Sequence, residues 1–411
     1  MKTLVIGPGG REHALCRALA KDPGVTEVHA APGNPGMAAV ATLHDVDPLD
    51  GRAVAALAAS LGVDLVVVGP EAPLVAGVAD AVRAAGIAAF GPSGAAAQLE
   101  GSKAFAKEVM AAAGVPTARA FVCTTPEEAA AALDELGAPY VVKDDGLAAG
   151  KGVVVTSSRD EAAAHAAACE RVVIEEYLDG PEVSLFAITD GVTVYPMQPA
   201  QDFKRIFDGE QGPNTGGMGA YTPLPWVPDG LVDEVFATVL QPTVDELAHR
   251  GTPFSGLLYA GLALTTRGTR VVEFNARFGD PETQPLLALL ESPLGELLMA
   301  AATGTLADVP PPVFADGAAV GVVMASRGYP VTSSSGDLIS GIPAAESLPG
   351  VHVIQAGTAL RGSDLVTAGG RVLAVIGTGE SVAAARDAAY EGVALVHFDG
   401  AQHRTDIAGA I

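Results

Sequence analysis

Two lysines flank a glycine-rich segment between residues 140 and 155, which reads YVVKDDGLAAGKGVVV. Its two β-branched runs predict strands, and the glycines between them predict the turn of a hairpin. Lys143 ends the first run and Lys151 lies in the turn, so two ammonium groups and several backbone N–H groups could bind an anion such as a triphosphate. The segment is not a Walker A motif, because Gly152 follows Lys151 and a strand comes next. A lone glycine-rich hairpin is also typical of an ordinary surface turn.

A carboxylate and an amide lie two residues apart in a second segment, TRVVEFNARFGDPE. On a strand, Glu273 and Asn275 project from the same face, and we expect Arg277 to continue that face. Carboxylate and amide oxygens suit Mg²⁺, which is usually bound by few protein ligands together with substrate phosphates. A polar edge strand with an ion pair is the alternative interpretation.

A third cationic position is Lys103, in LEGSKAFAKEVMAAAGVP. This pattern predicts a helix that begins at Gly101 or Ser102 and ends at Gly114. Lys103 lies in the first turn, where the helix dipole disfavours a cation. It is either a solvated lysine or a lysine that meets an anion.

The elements that precede these residues alternate between apolar strands and helices over about the first hundred residues. This alternation predicts a parallel, doubly wound sheet. Glycine-rich polar turns follow three of the strands, at residues 7–13, 32–36 and 69–73. Ligands bind beyond the carboxyl ends of the strands in such sheets, so we expect a ligand at these turns.

A dinucleotide is one candidate for that ligand, because Gly7 and Gly9 match the start of a GxGxxG fingerprint. Glu12 replaces the third glycine, and the region around Val28 supplies no acidic partner for a ribose. A helix N-terminus with Arg11 in its first turn suits the phosphate of a sugar phosphate better.

Residues 118 to about 188 have the pattern of a small α+β unit in β-helix-β-β-helix-β order, able to clamp a ligand from one side. Thr125 with Glu128, and Ser158 with Glu161, each predict a capping box at the start of a helix. The glycine-rich stretch after Gln201 lacks apolar periodicity, and we expect it to be a functional segment without regular secondary structure.

Composition excludes several classes of protein. A chain of 411 residues predicts two to four domains. The formal net charge of −24 argues against nucleic-acid binding, which needs a basic surface. The three cysteines, without a CxxC pair, fit a reducing cytoplasm. The sequence shows neither a signal peptide nor an apolar run long enough to span a membrane, so no membrane partner is expected.

Seven motifs, in this order and spacing, resemble the phosphoribosylamine–glycine ligase (glycinamide ribonucleotide synthetase) family nearly end to end. In chain order they are GPGGREHA, PGN, GPEAPL, LEGSK, VVKDDGLAAGKGVVV, GPNTGGMGAY and EFNARFGDPE. GPNTGGMGAY and the RFGDPE part of the last motif are the most specific.

The resemblance implies an ATP-grasp fold that combines α/β and α+β domains. We expect a substrate-binding sheet domain at residues 1–100, an ATP-grasp domain at 101–310 with a hinged small subdomain at about 118–188, and a C-terminal α+β domain at 311–411. The implied reaction joins glycine to 5-phosphoribosylamine through glycyl phosphate, with ATP consumed and Mg²⁺ or Mn²⁺ bound, in purine biosynthesis. We expect a monomer.

The resemblance also assigns roles to individual residues. The implied catalytic residues are Arg277, Lys143 and Asp280. The implied ATP-binding residues are Lys103, Lys143, Gly146, Ala149, Gly150, Lys151, Gly152, Glu175, Glu176, Tyr177, Leu178 and Glu182. The implied substrate-binding residues are Gly9, Gly10, Arg11, Glu12, His13, Asn34, Glu71, Asp202, Arg205, Asn214, Thr215 and Gly216. The implied metal ligands are Glu273 and Asn275.

The sequence departs from the family pattern at a few positions, including Asp144, Phe203 and Gln355, and in the turn VTSSSG. On a strand, Asp144 should point away from Lys143. We expect the C-terminal domain to be a structural cap. Three alternatives stay open: a nicotinamide-dependent dehydrogenase, a catalytically idle ATP-binding regulator, and an ATP-grasp ligase with other substrates.

Overall fold

The computed structural model describes residues 1–147 and 152–409, and its first unit is a five-stranded sheet with helices. The strands are β1 (Lys2–Ile6), β2 (Glu27–Ala31), β3 (Thr42–Leu43), β4 (Leu65–Val68) and β5 (Ala88–Phe90). The helices are α1 (Gly10–Lys21), α2 (Gly51–Leu61), α3 (Glu71–Val75) and α4 (Val78–Ala84). The strand order is β3-β2-β1-β4-β5 and every pair is parallel, which confirms the predicted doubly wound sheet.

Two consecutive helices, α5 (Gln98–Gly101) and α6 (Lys103–Ala113), follow this sheet. Ser102 is the N-cap of α6, and its Oγ accepts a hydrogen bond from the Phe105 N–H at 3.2 Å. Gly114 ends the helix with φ of 69°, a conformation that glycine adopts without strain. The predicted helix boundaries are therefore confirmed.

The small unit contains β6 (Ala120–Cys123), α7 (Pro126–Leu136), β7 (Tyr140–Asp144), β8 (Val153–Thr156), α8 (Arg159–Ala167) and β9 (Val172–Glu175). Its antiparallel sheet has the order β6-β9-β7-β8, so the predicted β-helix-β-β-helix-β arrangement is confirmed. Thr125 and Glu128 form the predicted capping box. Ser158 caps α8, but the Glu161 carboxylate accepts a hydrogen bond from the Thr156 hydroxyl, so the second predicted box is wrong.

The two faces of this small sheet have different roles. Val142 and Ile174 pack in the core shared with α7 and α8. Because side chains alternate along a strand, Lys143 and Glu175 project from the opposite, helix-free face. Asp144 lies on the helix-covered side with Val142, so its side chain points away from Lys143 as the alternation requires.

The central unit contains β10 (Glu182–Asp190), β11 (Val194–Pro196), β12 (Gln201–Asp202), β13 (Arg205–Phe207), β14 (Gln211–Asn214), β15 (Gly219–Thr222), α9 (Leu231–Val235), α10 (Gln241–His249), β16 (Ser255–Thr265), β17 (Gly268–Asn275), α11 (Thr283–Leu289) and α12 (Leu294–Thr303). Strands β11-β10-β16-β17 form its antiparallel sheet. The prediction of no regular structure after Gln201 is wrong, because β13 and β14 form a hairpin and β12 pairs with β15. These strands have two to four residues, too few to produce a hydrophobic period.

The last unit contains β18 (Ala318–Ala325), α13 (Ile342–Glu346), β19 (Val351–Gln355), β20 (Thr358–Arg361), β21 (Asp364–Thr367), β22 (Arg371–Gly379) and α14 (Val382–Leu395). Its sheet has the order β12-β15-β18-β22-β19, so two strands from the central segment complete it. This pairing fixes the C-terminal unit against the chain that follows Gln201. Among the residues described, no helix is both long enough and apolar enough to cross a membrane.

Candidate active site

Two of the three glycine-rich turns of the first sheet, at residues 7–13 and 69–73, meet around the side chain of Glu12. Its Oε2 accepts a hydrogen bond from the Gly9 N–H at 2.7 Å, and its Oε1 is paired with the Arg11 guanidinium. At Gly69 the two segments are so close that a Cβ would lie 2.1 Å from Glu12 Oε1. In a dinucleotide fingerprint, the third glycine leaves the space beside the helix N-terminus open. Here the Glu12 carboxylate fills that space at the N-terminus of α1.

Asn34 and His13 connect these turns to the C-terminal unit. Asn34 Nδ2 donates to the carbonyl oxygens of Pro8 at 2.7 Å and Gln355 at 3.0 Å. The Gln355 N–H donates to His13 Nδ1 at 2.9 Å. Burial, with a smaller contribution from the charge of Arg17, lowers the pKa of His13 to about 4. His13 is therefore a neutral hydrogen-bond acceptor near neutral pH.

Arg277 lies between two glutamates instead of extending the strand that carries Glu273. Strand β17 ends at Asn275, and beyond it Arg277 Nη2 contacts Glu100 Oε1 at 3.0 Å while Nε lies 3.3 Å from Glu71 Oε2. The expectation that Arg277 continues the strand face is therefore wrong. Burial lowers the pKa of Arg277, but Glu100 and Glu71 outweigh burial, so the pKa lies above its usual range.

The helix-free face of the small sheet holds a buried carboxylate between two lysines. Glu175 is ion-paired with Lys143, and its Oε2 lies 2.7 Å from the Nζ of Lys107. Lys143 also donates to the Val272 carbonyl at 3.1 Å, which joins the small sheet to β17. Burial raises the pKa of Glu175, but the two lysines outweigh burial and lower it. Sequence reasoning missed Lys107, although its spacing of four residues from Lys103 places both on one face of α6.

Lys103 reaches the same region from the first turn of α6. Its Nζ donates to the Gly146 carbonyl at 2.8 Å, at the start of the glycine-rich segment. Burial is the largest influence and lowers the pKa of Lys103, with Glu273 raising it and Lys143 lowering it further. The predicted contacts from Ala149, Gly150 and Lys151 lie outside the described residues, whereas the buried Gly152 accepts a hydrogen bond from the Asp144 N–H at 2.8 Å.

The two candidate metal ligands lie on β17, opposite Gly261 and Tyr259 of β16. Burial raises the pKa of Glu273, but Lys204, Lys143 and other cations outweigh burial and lower it, so the carboxylate is ionised at neutral pH. No cluster of three or more His, Cys, Asp or Glu suited to a metal occurs within residues 1–147 and 152–409. One carboxylate and one amide oxygen fit a divalent cation whose other ligands are phosphate and water oxygens.

Asp280 is held by groups from two other units of the molecule. Arg371 of β22 approaches Asp280 Oδ1 at 3.4 Å, and the Arg11 N–H donates to Asp280 Oδ2 at 3.4 Å. Burial raises the pKa of Asp280, but Arg371 and Arg11 outweigh burial and lower it. Arg371 also donates to the Gly216 carbonyl at 2.5 Å, so the C-terminal unit contributes a side chain to the site. We expected the C-terminal domain to be a structural cap, so the sequence analysis missed the contribution of Arg371.

The chain that follows Gln201 brings further charged groups to this cleft. Lys204 Nζ lies 2.5 Å from Glu182 Oε2, and the Lys204 carbonyl accepts a hydrogen bond from the Thr215 hydroxyl at 2.8 Å. Burial raises the pKa of Asp202 to about 7, although Lys204 lowers it. Arg205 donates to the Gly212 carbonyl at 2.7 Å within the β13–β14 hairpin.

Other residues of the expected ATP site lie beside the point where the small unit joins the central sheet. The Glu176 carboxylate accepts a hydrogen bond from the Arg119 N–H at 3.1 Å and pairs with Arg267 at 3.1 Å. The Tyr177 side chain is half exposed and Leu178 is partly buried. Two residues expected at the substrate lie elsewhere in the cleft: Asn214 pairs with Arg205 across the β13–β14 hairpin, and Gly10 is buried in the first turn of α1.

The parallel sheet unit, the small clamp-like unit and the central sheet, with lysines facing a carboxylate–amide pair, define an ATP-grasp enzyme. Comparison with family models supports this class. The chain matches the models described as phosphoribosylglycinamide synthetase N domain over residues 1–100, ATP-grasp (A) domain over 101–283 and C domain over 319–410. The chain belongs to the phosphoribosylglycinamide synthetase family, which confirms the resemblance drawn from its motifs.

Individual relatives cover nearly the whole chain. It is 68% identical to the phosphoribosylamine–glycine ligase of Streptomyces coelicolor over 410 residues, with 99% of each chain covered. It is 55% identical to the protein of the same name from Mycobacterium tuberculosis, with 99% of this chain and 97% of the other covered.

Solved structures show the same architecture. The crystal structure of phosphoribosylamine–glycine ligase from Thermotoga maritima matches with a TM-score of 0.86 at 34% identity, covering 99% of this chain and all of the other. The biotin carboxylase domain of Hydrogenobacter thermophilus 2-oxoglutarate carboxylase, in a complex with MgADP, matches with a TM-score of 0.72 at 18% identity, covering 98% and 91%. The second likeness concerns the fold alone.

Proposed function

We propose that this chain is a carbon–nitrogen bond-forming ligase that joins glycine to 5-phosphoribosylamine, giving glycinamide ribonucleotide, ADP and phosphate, in purine biosynthesis. The observation that carries the proposal is the convergence of Lys103, Lys143 and Glu273 beside Arg277, in a chain of this family. Lysines from two units, a carboxylate with an amide two residues away and a guanidinium fixed by two glutamates supply what phosphoryl transfer from ATP needs.

Lys103 and Lys143 would bind the ATP phosphates, and the glycine-rich loop including Gly146, Ala149, Gly150, Lys151 and Gly152 would close over them. The segment 175–178 would lie beside the adenine, and Glu182 would bind the ribose. The Glu175 side chain itself is turned toward two lysines, so we assign its contribution to the adenine site to the backbone. Tyr177 is exposed enough to contact a nucleotide.

Glu273 and Asn275 would hold a divalent cation, Mg²⁺ or Mn²⁺. On β17, Glu273 lies opposite Gly261 and Asn275 opposite Tyr259 of β16. One carboxylate and one amide oxygen suit a cation whose other ligands are phosphate and water oxygens. Such a cation supplies charge neutralisation at the β- and γ-phosphates.

The reaction requires two steps at one site. The glycine carboxylate oxygen attacks the γ-phosphorus, which breaks the bond to the bridging oxygen and releases ADP. The amine nitrogen of phosphoribosylamine then attacks the acyl carbon of glycyl phosphate, expels phosphate and loses a proton. Arg277 would stabilise the transferring phosphoryl group, because its guanidinium is already oriented by Glu71 and Glu100.

The sugar phosphate would lie at the turns around Gly9, Gly10 and Arg11. Supporting contacts would come from Glu12, His13 and Asn34 and, across the cleft, from Asn214, Thr215 and Gly216. Asp280 would orient the substrates between Arg11 and Arg371. Asp202 and Arg205 would contact the small substrates from the chain after Gln201.

We also propose the domain limits 1–100, 101–310 with a small subdomain at about 118–188, and 311–411. The change from parallel to antiparallel pairing near residue 100 supports the first limit. We propose that the protein is a monomer, and light scattering after size-exclusion chromatography tests that state.

The decisive experiment measures ADP release with ATP, glycine and freshly generated phosphoribosylamine, each omitted in turn. We expect ADP release that requires glycine, and amide product only when all three are present. ATP binding without glycine-dependent ADP release would favour an idle regulator. NADH fluorescence transfer on binding would favour a dehydrogenase, and turnover with a different carboxylate or amine would reassign the substrates.

A further inference from the structure

The carboxylate of Asp145 is fully buried, although Asp145 directly precedes the glycine-rich segment. Its Oδ1 accepts hydrogen bonds from the Ala104 N–H at 3.1 Å and from the Ser102 hydroxyl at 3.2 Å. Its Oδ2 is paired with the guanidinium of Arg171. The backbone of the same two residues is also bonded, because the Asp145 N–H donates to the Arg171 carbonyl at 3.0 Å. One side chain of the small unit is therefore bonded to the first turn of α6.

These contacts surround both lysines of the candidate phosphate site. Lys103 lies between Ser102 and Ala104, and Lys143 precedes Asp145 by two residues in the same extended segment. Lys103 Nζ also donates a hydrogen bond to the Gly146 carbonyl, which is a further link between α6 and the small unit. The small unit and α6 are thus fastened together at the place where their two cations must act on one polyphosphate.

We propose that Asp145 is a positioning residue that sets the separation of the Lys103 and Lys143 ammonium groups and thereby the affinity for a nucleoside triphosphate. This inference rests on the proposed function, because it presumes that both lysines bind ATP phosphates. A carboxylate at a helix N-terminus is stabilised by the free N–H groups there, which favours this docking over others.

The electrostatics of Lys103 support the same role. Burial lowers the pKa of Lys103 and the neighbouring Lys143 lowers it further, whereas Glu273 and Asp145 raise it. Asp145 therefore helps to keep the Lys103 ammonium protonated within reach of a second cation. Asp145 acts on Lys103 through its charge, because its own carboxylate oxygens are bonded to the first turn of α6 and to Arg171.

The test compares Asp145→Ala and Asp145→Asn with the matched control Asp22→Ala. Asp22 is also a buried carboxylate with two backbone N–H partners, Gly24 and Gly295, each at 2.7 Å. It lies at the far end of α1 from the Gly9 turn. The dissociation constant of MgATP is measured by calorimetry without glycine or phosphoribosylamine, and KM values for ATP and glycine are measured separately.

We expect Asp145→Ala to raise the dissociation constant and the KM for ATP about tenfold, the loss of one charge-assisted contact, with the KM for glycine within about twofold of the parent. Asp145→Asn keeps an oxygen for the Ala104 N–H but turns an amide donor toward Arg171, so its effect should be smaller and in the same direction. Asp22→Ala should lower the melting temperature and leave MgATP affinity unchanged.

A dissociation constant for Asp145→Ala within about twofold of the parent, or an equal rise in Asp22→Ala, would overturn the inference. If Asp145→Ala does not fold, Ser102→Ala removes one of the same contacts and must weaken MgATP binding in the same selective way. Weakened MgATP binding without glycine-dependent ADP release would support the positioning role while the proposed function failed. Normal ligation with unchanged MgATP affinity would refute only the positioning role.

Discussion

Replacing Lys107 by methionine tests the buried pair of lysines around Glu175. Lys107 Nζ contacts Glu175 Oε2 at 2.7 Å, the Thr117 hydroxyl at 2.9 Å and the Ala118 carbonyl at 3.1 Å. The Glu175 side chain is only 3% exposed, so water replaces little of what is lost. A hydrogen bond to a charged group contributes about 1.5–3 kcal/mol and Glu175 keeps Lys143, so we expect a net loss of about 3 kcal/mol.

Thermal and urea unfolding at pH 7 measure this loss. At about 2–4 °C per kcal/mol for a domain of this size, the melting temperature should fall by about 6–12 °C. The matched control is Lys2→Met, which removes a surface pair with Glu27 at 2.9 Å. Because both side chains of that pair are more than a third exposed, it should cost less than about 1 kcal/mol.

The pH dependence separates charge from packing. The lysines hold the pKa of Glu175 below 4.5 in the folded protein, and losing Lys107 raises it. A depressed carboxyl pKa stabilises the fold above the unfolded pKa, and this contribution is lost as pH falls through the folded pKa. The deficit of Lys107→Met should therefore be complete at pH 7 and shrink below pH 4.5. A loss of unfolding free energy under about 1 kcal/mol at pH 7, or a loss that is the same at pH 7 and below pH 4.5, would refute the charge argument.

Three further variants test the site and its supports. Arg277→Ala should lower kcat at least about a hundredfold while MgATP affinity changes little, since the guanidinium acts on the transition state; unchanged turnover would remove it from that role. Glu273→Ala should raise the Mg²⁺ concentration needed for half-maximal activity, and an unaltered titration would exclude it as a ligand. Gly180→Ala should destabilise the protein by more than about 2 kcal/mol. At Gly180 φ is 90° and a Cβ would lie 2.2 Å from the Leu264 carbonyl oxygen, whereas at the control Gly114, also at positive φ, no atom lies within 4 Å; equal losses in urea unfolding would contradict the steric argument.

Local signals explain most of the fold that the sequence predicted. Strands β1, β2 and β4 are continuous apolar runs, and such runs between helices indicate a buried parallel sheet. Ser102 and Thr125 begin helices because their hydroxyls accept hydrogen bonds from backbone N–H groups three residues later. These interactions depend on a few neighbouring residues, so the sequence alone reveals them.

Contacts between distant segments account for what was missed. Among the strands after Gln201, β15 pairs with β18, about a hundred residues later, and no local pattern in the sequence indicates that pairing. Arg371 reaches Asp280 only because β22 lies beside β18 in the same sheet. Arg277 turns toward Glu71 and Glu100 because helices α3 and α5 supply these carboxylates where β17 ends. In each case the partner is determined by tertiary packing.

The charge of the chain gives little guidance to the charge of its ligand. With a net charge of −24, the protein repels polyphosphates at long range, yet its candidate site is rich in cations. Several of these cations are already paired with buried or partly buried carboxylates: Arg11 with Glu12, Lys143 with Glu175, Arg277 with Glu71 and Glu100, and Arg371 with Asp280. The carboxylates fix the direction of these cations. At Arg277, burial lowers the pKa, but Glu100 and Glu71 outweigh burial and raise it. Acidic residues therefore contribute to anion binding here, because a cation held in place before the ligand arrives needs no reorganisation when phosphate charge develops.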